Sequence, residues 1–310
     1  MTRQECADFL RSHDNYLLLT HLRPDGDTLG SAVALCHFLR RMGKQAWVYP
    51  NADTSAFYLD MVTPFYPDEG QSFDTVVAVD ISARNRIAAG YEGKVDLSID
   101  HHPESGDFCT YACTDSSKAA GGELMLEVLE LLGDIDPFEA DCLYTAVSTD
   151  SGCFRFSNTT ADTFRAAARL TEAGANIAEL NKKLFRSKSR ARMLLEGMIC
   201  SSLLSYKDAQ LNIAVVTLEM MEKSGAREED CMDMADLAGM VSTNKVAITV
   251  RELRPNHCKI SIRTDGSISS ITIAKAFGGG GHLMASGCEI PLEPFAAADA
   301  IRKVTEELWP

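Results

Sequence analysis

One stretch near the N-terminus decides the fold class: YLLLTHLRPDGD, residues 16–27. Its apolar start predicts a short strand at 16–20, and the residues that follow predict a helix at 29–42. Further strands are predicted at 46–49, 75–80 and 95–100, and further helices at 124–132, 137–147 and 160–173. The strand at 75–80 is apolar almost throughout, which is typical of a strand covered on both faces. Strands that alternate with helices predict an α/β domain with a mainly parallel sheet.

The second half of the chain has a different order of predicted strands and helices. Strands are predicted at 211–218, 245–253 and 258–263, and helices at 268–277 and 295–308, which is the pattern of a smaller α+β domain. A chain of 310 residues is long enough for two domains of ordinary size. The sequence therefore predicts two domains of different architecture.

The junction between the two halves is basic. Residues 181–192 include six lysines and arginines and no acidic residue. Such a segment is most often a solvated face, and the alternative is a connector helix whose charges attract phosphate. We expect an N-terminal domain at 1–185, a connector helix or linker at 186–205, and a C-terminal domain at 206–310.

Composition excludes several classes of protein. With 45% apolar residues the chain can bury a core, and no apolar run approaches the roughly 18 residues of a membrane span. A formal net charge of −14 argues against a protein that grips long nucleic acid through many phosphates. A small anionic substrate remains possible, because bound cations reverse the local field. Ten scattered cysteines and an N-terminus without a signal-peptide layout predict a reduced, cytoplasmic protein.

Candidate metal ligands follow the first, third and fourth predicted strands, and another follows a predicted helix. In open α/β sheets such loops meet beyond the carboxyl ends of the strands. Four or more carboxylates cannot share one crevice unpaired, so we expect two divalent cations with one carboxylate between them. The mixture of imidazole and carboxylate suits Mn²⁺ or a neighbouring transition metal better than Mg²⁺. The candidates are His21, Asp25, Asp27, Asp80, Asp100, His101, His102 and Asp150.

Each of these residues also has an ordinary structural interpretation. Asp27 precedes a helix and could cap it, and Asp100 could orient a histidine rather than bind a metal. His21 or His102 alone would more often be a partly buried histidine. The metal interpretation depends on all of them occurring in one half of one chain, which makes coincidence improbable.

A run of four glycines stands out in the second half, at residues 278–281. Read alone it is often a flexible linker. Here it follows a predicted helix and precedes His282 and an apolar stretch. Consecutive glycines let a backbone approach a ligand closely and offer N–H groups to phosphate, and Arg263 offers a planar fork that suits phosphate or a stacked base.

These motifs resemble those of the DHH phosphoesterase superfamily. The match consists of His21-x-x-x-Asp25-x-Asp27, Asp80, Asp100-His101-His102 and Asp150-Ser151-Gly152. In the second half, Arg263, the AFGGGGH run at 276–282 and the ASG at 285–287 resemble the associated DHHA1 domain. The resemblance covers essentially the whole chain and is greatest to the stand-alone two-domain group.

The resemblance implies a role for each site residue. One metal would be held by His21, Asp25 and Asp80, and the other by Asp27, Asp80, His101 and Asp150, so that Asp80 bridges. His102 would assist protonation or orient the phosphate, and Asp100 would support the histidines. Substrate would be held by Arg263, Gly279, Gly280, Gly281 and His282, across a cleft between the two domains. A homodimer is plausible by the same resemblance.

The implied reaction is metal-dependent phosphate ester hydrolysis. Two cations lower the pKa of a water and neutralise the phosphate oxygens, so no protein nucleophile is needed. The stand-alone group contains nanoRNases that degrade very short RNAs to mononucleotides and dephosphorylate 3',5'-phosphoadenosine (pAp), and it also contains phosphodiesterases of cyclic di-AMP or pApA. A nucleotide-sensing binding protein and a tRNA-binding accessory are the alternatives from other classes. The complete set of metal ligands argues against both, and the net charge argues further against the second.

Overall fold

The computed structural model describes residues 1–103, 108–231, 234 and 237–309. The chain divides into two compact units, Met1–Ser187 and a second unit that begins at Lys188. This division falls inside the predicted connector at 186–205. The α/β unit and the smaller mixed unit predicted from the sequence are both present.

The first unit is built on five parallel strands. The strand predictions at 16–20, 46–49, 75–80 and 95–100 match four of them closely. The fifth was not predicted, because it lies at the edge of the sheet and most of its side chains are only partly buried or exposed. The strands are β1 Tyr16–Leu19, β2 Ala46–Val48, β3 Thr75–Val79, β4 Val95–Asp100 and β5 Cys109–Thr114.

In the described residues of this unit, seven α-helices accompany the sheet. They are α1 Arg3–Ser12, α2 Gly26–Arg41, α3 Ala56–Val62, α4 Gly121–Glu130, α5 Pro137–Asp150, α6 Ala161–Glu172 and α7 Ile177–Asn181. Helix α2 is buried along almost its whole length. It packs tightly on α5 because Gly30 has no side chain, and a Cβ there would lie 2.4 Å from the carbonyl oxygen of Cys142.

The strand order explains where a site can form. In the order β2-β1-β3-β4-β5, the chain runs from β1 to β2 on one side and from β3 to β4 on the other, so β1 and β3 flank a topological switch point. A crevice opens at the carboxyl ends of the strands at such a point. The sequence places His21 just beyond β1 and Asp80 directly after β3.

The second unit contains a six-stranded mixed sheet in the order β10-β11-β9-β8-β7-β6. Only β7 and β8 are parallel, and the other neighbouring pairs are antiparallel. Its apolar core consists largely of isoleucine and valine from the central strands. The elements are α8 Arg190–Ser201, β6 Leu204–Tyr206, β7 Leu211–Val216, α9 Leu218–Ser224, β8 Val246–Arg254, β9 His257–Thr264, α10 Ser270–Lys275, β10 Gly280–Gly281, β11 Ala285–Ile290 and α11 Pro294–Leu308.

The glycine run belongs to this sheet and is not a linker. Gly280 and Gly281 form the short edge strand β10 and pair with Gly287 and Ser286. A Cβ on Gly279 would lie 2.3 Å from the carbonyl oxygen of Gly287, so only glycine fits against the neighbouring strand.

The basic junction contains a short π-helix, Lys182–Arg186, followed by α8. Three of its basic residues form ion pairs, Lys182 with Glu179 and both Lys188 and Arg192 with Glu196. In the part of the chain that the structure describes, none of the helices combines the length and apolar character needed to cross a membrane.

Candidate metal centre

The predicted ligands converge at the carboxyl edge of the parallel sheet. His21 follows β1, and Asp80, Asp100 and His101 stand at the ends of β3 and β4. Asp150 is the last residue of α5 rather than part of a loop. Residues separated by up to 129 positions thus meet in one place, as the strand-end argument predicted.

Two groups of donor atoms share the carboxylate of Asp80. Its Oδ2 lies 3.6 Å from Nε2 of His21, which in turn lies 3.5 Å from Oδ1 of Asp25. Its Oδ1 lies 3.5 Å from Nε2 of His101. The two oxygens of one buried aspartate therefore face different donor groups.

The second group is completed by two further aspartates. Nε2 of His101 lies 3.5 Å from Oδ2 of Asp150 and 3.7 Å from Oδ2 of Asp27. Donor atoms that bind one ion at about 2.1 Å lie roughly 3–3.5 Å apart. The donors of His21, Asp25 and Asp80 lie within 4.8 Å of one another, as do those of Asp27, His101 and Asp150, so each triad could hold a divalent cation.

The histidines are held with Nε2 facing the carboxylates. Nδ1 of His21 is 2.8 Å from the carbonyl oxygen of Leu22, and Nδ1 of His101 is 3.2 Å from that of Lys118. A carbonyl accepts only from a protonated nitrogen, so in the neutral tautomer that makes this hydrogen bond Nε2 is the nitrogen that can bind a metal. Both imidazoles are therefore oriented as ligands by the backbone.

Asp27 is anchored by the first turn of α4, which sequence reasoning missed. The N–H groups of Gly121 and Gly122 donate to its Oδ2 and Oδ1 at 2.6 and 2.8 Å, and Ser31 donates at 3.2 Å. Free N–H groups at a helix start favour an anion. The sequence signal was present in the two consecutive glycines that open this helix. A Cβ on Gly122 would lie 2.6 Å from Cβ of Ala146.

The start of α2 differs from its prediction. The helix begins at Gly26, three residues earlier than expected, because Asp25 and not Asp27 is its N-cap. Oδ1 of Asp25 accepts from the N–H groups of Asp27 and Thr28. The Thr28 hydroxyl donates to the carbonyl oxygen of Val79 at 2.8 Å, which ties the helix start to the end of β3.

The buried carboxylates of the centre repel one another and need positive charge nearby. Burial raises the pKa of Asp27 well above its usual range, and the negative charge of Asp150 raises it further. Burial and the charge of Asp27 raise the pKa of Asp80 in the same way. Within the described part of the chain, the buried Oδ1 of Asp80 and Oδ2 of Asp100 accept no hydrogen bond. Divalent cations would satisfy this buried, mutually repelling set.

The backbone at Asp80 is strained. Its φ is +57°, in the left-handed region that non-glycine residues rarely adopt, although aspartate tolerates it better than most. Such outliers concentrate at functional sites, where the surrounding structure holds them in place. Here the strained residue is the carboxylate shared by both donor groups.

His102 and Asp100 form a pair at the edge of the centre. Nδ1 of His102 lies 2.7 Å from Oδ1 of Asp100, which is fully buried, and 3.5 Å from Oδ1 of Asp80. Hydrogen bonding to Asp100 raises the pKa of His102, against the opposing effect of burial. The side chain is 43% exposed. Asp100 thus contacts a histidine, as one of the sequence interpretations held.

The candidate substrate residues of the second unit also lie together. Arg263 is an exposed residue of β9 and pairs across the sheet with Ala285 of β11. The next position of β11, Ser286, pairs with Gly281. The His282 N–H donates to the carbonyl oxygen of Ala285 at 2.7 Å. The fold therefore brings the guanidinium, the glycines and the histidine to one corner of the mixed sheet.

Fold and site together define a two-domain α/β protein with paired groups of carboxylate and imidazole donors. The DHH family, N-terminal domain, matches residues 15–147, and the DHHA1 domain matches residues 210–309. The chain belongs to the DHH family and carries the DHHA1 domain.

Two curated relatives carry the same name, bifunctional oligoribonuclease and PAP phosphatase NrnA. The Thermus thermophilus protein is 35% identical over 286 residues, which are 88% of this chain and 83% of the relative. The Bacillus subtilis protein is 25% identical over 290 residues, 90% of each chain.

Solved structures show the same architecture. An exopolyphosphatase-related protein from Bacteroides fragilis superposes with a TM-score of 0.85 at 25% identity and covers 98% of this chain and 95% of its own. The exonuclease RecJ bound to manganese gives a TM-score of 0.53 at 13% identity, over 98% of this chain and 93% of that one. The second likeness concerns the fold alone.

Proposed function

We propose that this protein is a Mn²⁺-dependent phosphoesterase that degrades very short oligoribonucleotides to mononucleotides and dephosphorylates pAp. The observation that carries the proposal is the buried Asp80, whose two oxygens face two separate donor groups. The names of the relatives, which state both activities, support the choice of substrates.

The donor groups would hold two ions. One would be bound by His21, Asp25 and Asp80, and the other by Asp27, Asp80, His101 and Asp150. The mixed nitrogen and oxygen donors favour Mn²⁺ over Mg²⁺. When bound, a pair of such ions supplies an activated water and neutralises charge on the phosphate oxygens.

The chain supplies the remaining steps. His102, held through Nδ1 by Asp100, would carry a proton on Nε2 toward the leaving oxygen or a phosphate oxygen. Its raised pKa increases the protonated fraction near neutral pH, which suits this role. Asp100 positions the ring and favours its charged form.

In the second unit, Arg263, the glycines at 279–281 and His282 would hold the terminal phosphate or nucleotide. The support is chemical, since a guanidinium fork and accessible backbone N–H groups suit phosphate. The net charge of −14 argues that only short nucleic acids are accepted.

A turnover panel tests the proposal. The purified protein is mixed with Mn²⁺ and, separately, pAp, pApA, a five-nucleotide RNA, a 24-nucleotide RNA and cyclic di-AMP, with EDTA controls. We expect turnover of pAp and the short RNA, with the long RNA and the cyclic compound resistant. A preference for cyclic di-AMP or pApA would overturn the substrate assignment. No turnover despite bound metal would support a nucleotide-sensing protein instead.

A further inference from the structure

The chain makes an unusual turn directly after Asp150. Gly152, Cys153 and Phe154 have φ values of +57°, +57° and +62°, so three successive residues are left-handed and two of them are not glycine. Such strain persists only where the surroundings hold it. Here the Cys153 N–H donates to the carbonyl oxygen of Ser148 at 2.6 Å, and Nε of Arg155 donates to that of Gly152 at 2.7 Å.

The turn presents Phe156 outward. A Cβ on Gly152 would lie 2.4–2.6 Å from three atoms of the Phe156 ring, so the ring rests on the bare Cα of this glycine. The residue is nevertheless 55% exposed. One side of the ring is therefore supported by backbone, and the rest is open to solvent.

Phe154, two residues before Phe156, is less exposed than Phe156. It is partly buried and stacks on Phe164, with ring centroids 5.3 Å apart and an interplanar angle of 23°. It also contacts Tyr144. The turn thus packs the ring of Phe154 against the core and leaves the ring of Phe156 exposed.

The turn is fastened to the metal centre. Nδ2 of Asn158 donates to the carbonyl oxygen of Asp150 at 3.1 Å and to that of Ala119 at 3.0 Å. Gly152 follows Asp150 by two residues, so their Cα atoms are at most about 7.6 Å apart. The glycine on which the Phe156 ring rests therefore lies close along the chain to the residue that ends α5.

We propose that the exposed face of Phe156 is a stacking platform for the nucleobase of the nucleotide whose phosphate is cleaved. The inference rests on the proposed function, because it requires a nucleotide at this centre. A base lies one sugar away from its phosphate, and the glycine that supports this ring is two residues from Asp150. Stacking on a phenyl ring tolerates every base, since each has a π-face, and this suits an enzyme for RNAs of any sequence.

The test compares pAp with ribose 3,5-bisphosphate, which has the same sugar and phosphates but no base for Phe156 to stack on. Base–aromatic stacking of ordinary strength corresponds to a change of about 5- to 150-fold. We expect Phe156→Ala to lower kcat/KM for pAp by such a factor and to leave that for ribose 3,5-bisphosphate unchanged. Phe156→Trp should retain activity on pAp, and Phe156→Leu, which keeps apolar cover over Gly152, should behave as the alanine variant. The control is Phe295→Ala, a residue of the second unit that is 48% exposed.

The results are distinguishable from a failure of the proposed function. If the wild-type protein hydrolyses neither bisphosphate, both the function and the platform are wrong. If it hydrolyses pAp and the Phe156 variants lose the two substrates equally, or lose neither, the function stands and the platform is wrong. Thermal unfolding of each variant shows whether a common loss comes from misfolding.

Discussion

Gly122→Ala is a sharp test of how Asp27 is held. The new Cβ would lie 2.6 Å from Cβ of Ala146 on α5, whereas carbon atoms in contact are about 3.5–4.0 Å apart. The start of α4 must therefore retreat from α5 by about 1 Å. The same movement lengthens the hydrogen bonds from Gly121 and Gly122 to Asp27, which are 2.6 and 2.8 Å long.

The expected cost follows from these contacts. Overpacking a core typically costs about 1–3 kcal/mol, and loss of one hydrogen bond to a charged group costs about 1.5–3 kcal/mol. The intrinsic gain of alanine over glycine in a helix offsets about 0.5–1 kcal/mol. We expect a net destabilisation of about 1.5–5.5 kcal/mol, or a fall in Tm of about 3–22 °C for a unit of this size. Because Asp27 loses its support, Mn²⁺ affinity should fall about 10- to 100-fold.

Calorimetric unfolding and Mn²⁺ titration measure the two effects. Gly197→Ala is the matched control, because Gly197 lies within α8 and a Cβ there would meet no atom within 4 Å. That variant should gain about 0.5–1 kcal/mol and bind Mn²⁺ as the wild-type protein does. If Gly122→Ala matched this control in both measurements, the anchoring of Asp27 by α4 would be refuted.

Four further predictions follow from the same geometry. Asp80→Asn keeps the shape of the side chain but not its charge, so turnover of pAp should fall by more than about 10³-fold, and an active variant would contradict the shared role of this residue. Arg263→Ala should chiefly raise KM for pAp in steady-state assays, and an unchanged KM would exclude it from substrate binding. Removal of metal by EDTA should lower the Tm, since a ligand at 100 times its Kd adds about 2.7 kcal/mol, and an unchanged Tm would argue against a folded-state metal site. Burial raises the pKa of Glu196, but hydrogen bonds from Lys188 and Arg192 outweigh burial and lower this pKa below its ordinary value of 4.5. The ionised carboxylate therefore stabilises the folded state above pH 4.5, and this stabilisation is lost as the pH falls through the folded-state pKa. In urea titrations the wild-type protein should lose more stability on acidification than Glu196→Gln does.

Much of the fold was predictable because local patterns report it. Continuous apolar runs identified four of the five parallel strands, and the change of pattern after the basic junction indicated the second, mixed unit. The strand β5 was missed, since an edge strand with partly exposed side chains lacks the apolar run of a central strand. The start of α2 was placed too late because Asp25 and Asp27 are equally good caps in sequence and only the backbone distinguishes them.

The candidate site was predictable in its residue types but not in its supports. The carboxyl ends of parallel strands lie at one edge of the sheet, which is why the sequence alone groups His21, Asp80 and His101. Nothing local connects Asp27 with Gly121 and Gly122, which lie more than 90 residues away. Nor does the sequence show that Phe156 rests on Gly152 with an open face.

The sequence by itself determined the α/β class, the division into two domains and the set of donors that can bind divalent cations. These properties depend on residue type and on periodicity along the chain, which folding does not alter. Only the tertiary structure decided that Asp80 turns one oxygen toward each donor group, that α4 anchors Asp27, and that the glycine run is an edge strand. Each of these depends on which distant segments touch, and such contacts arise only when helices and strands pack against one another.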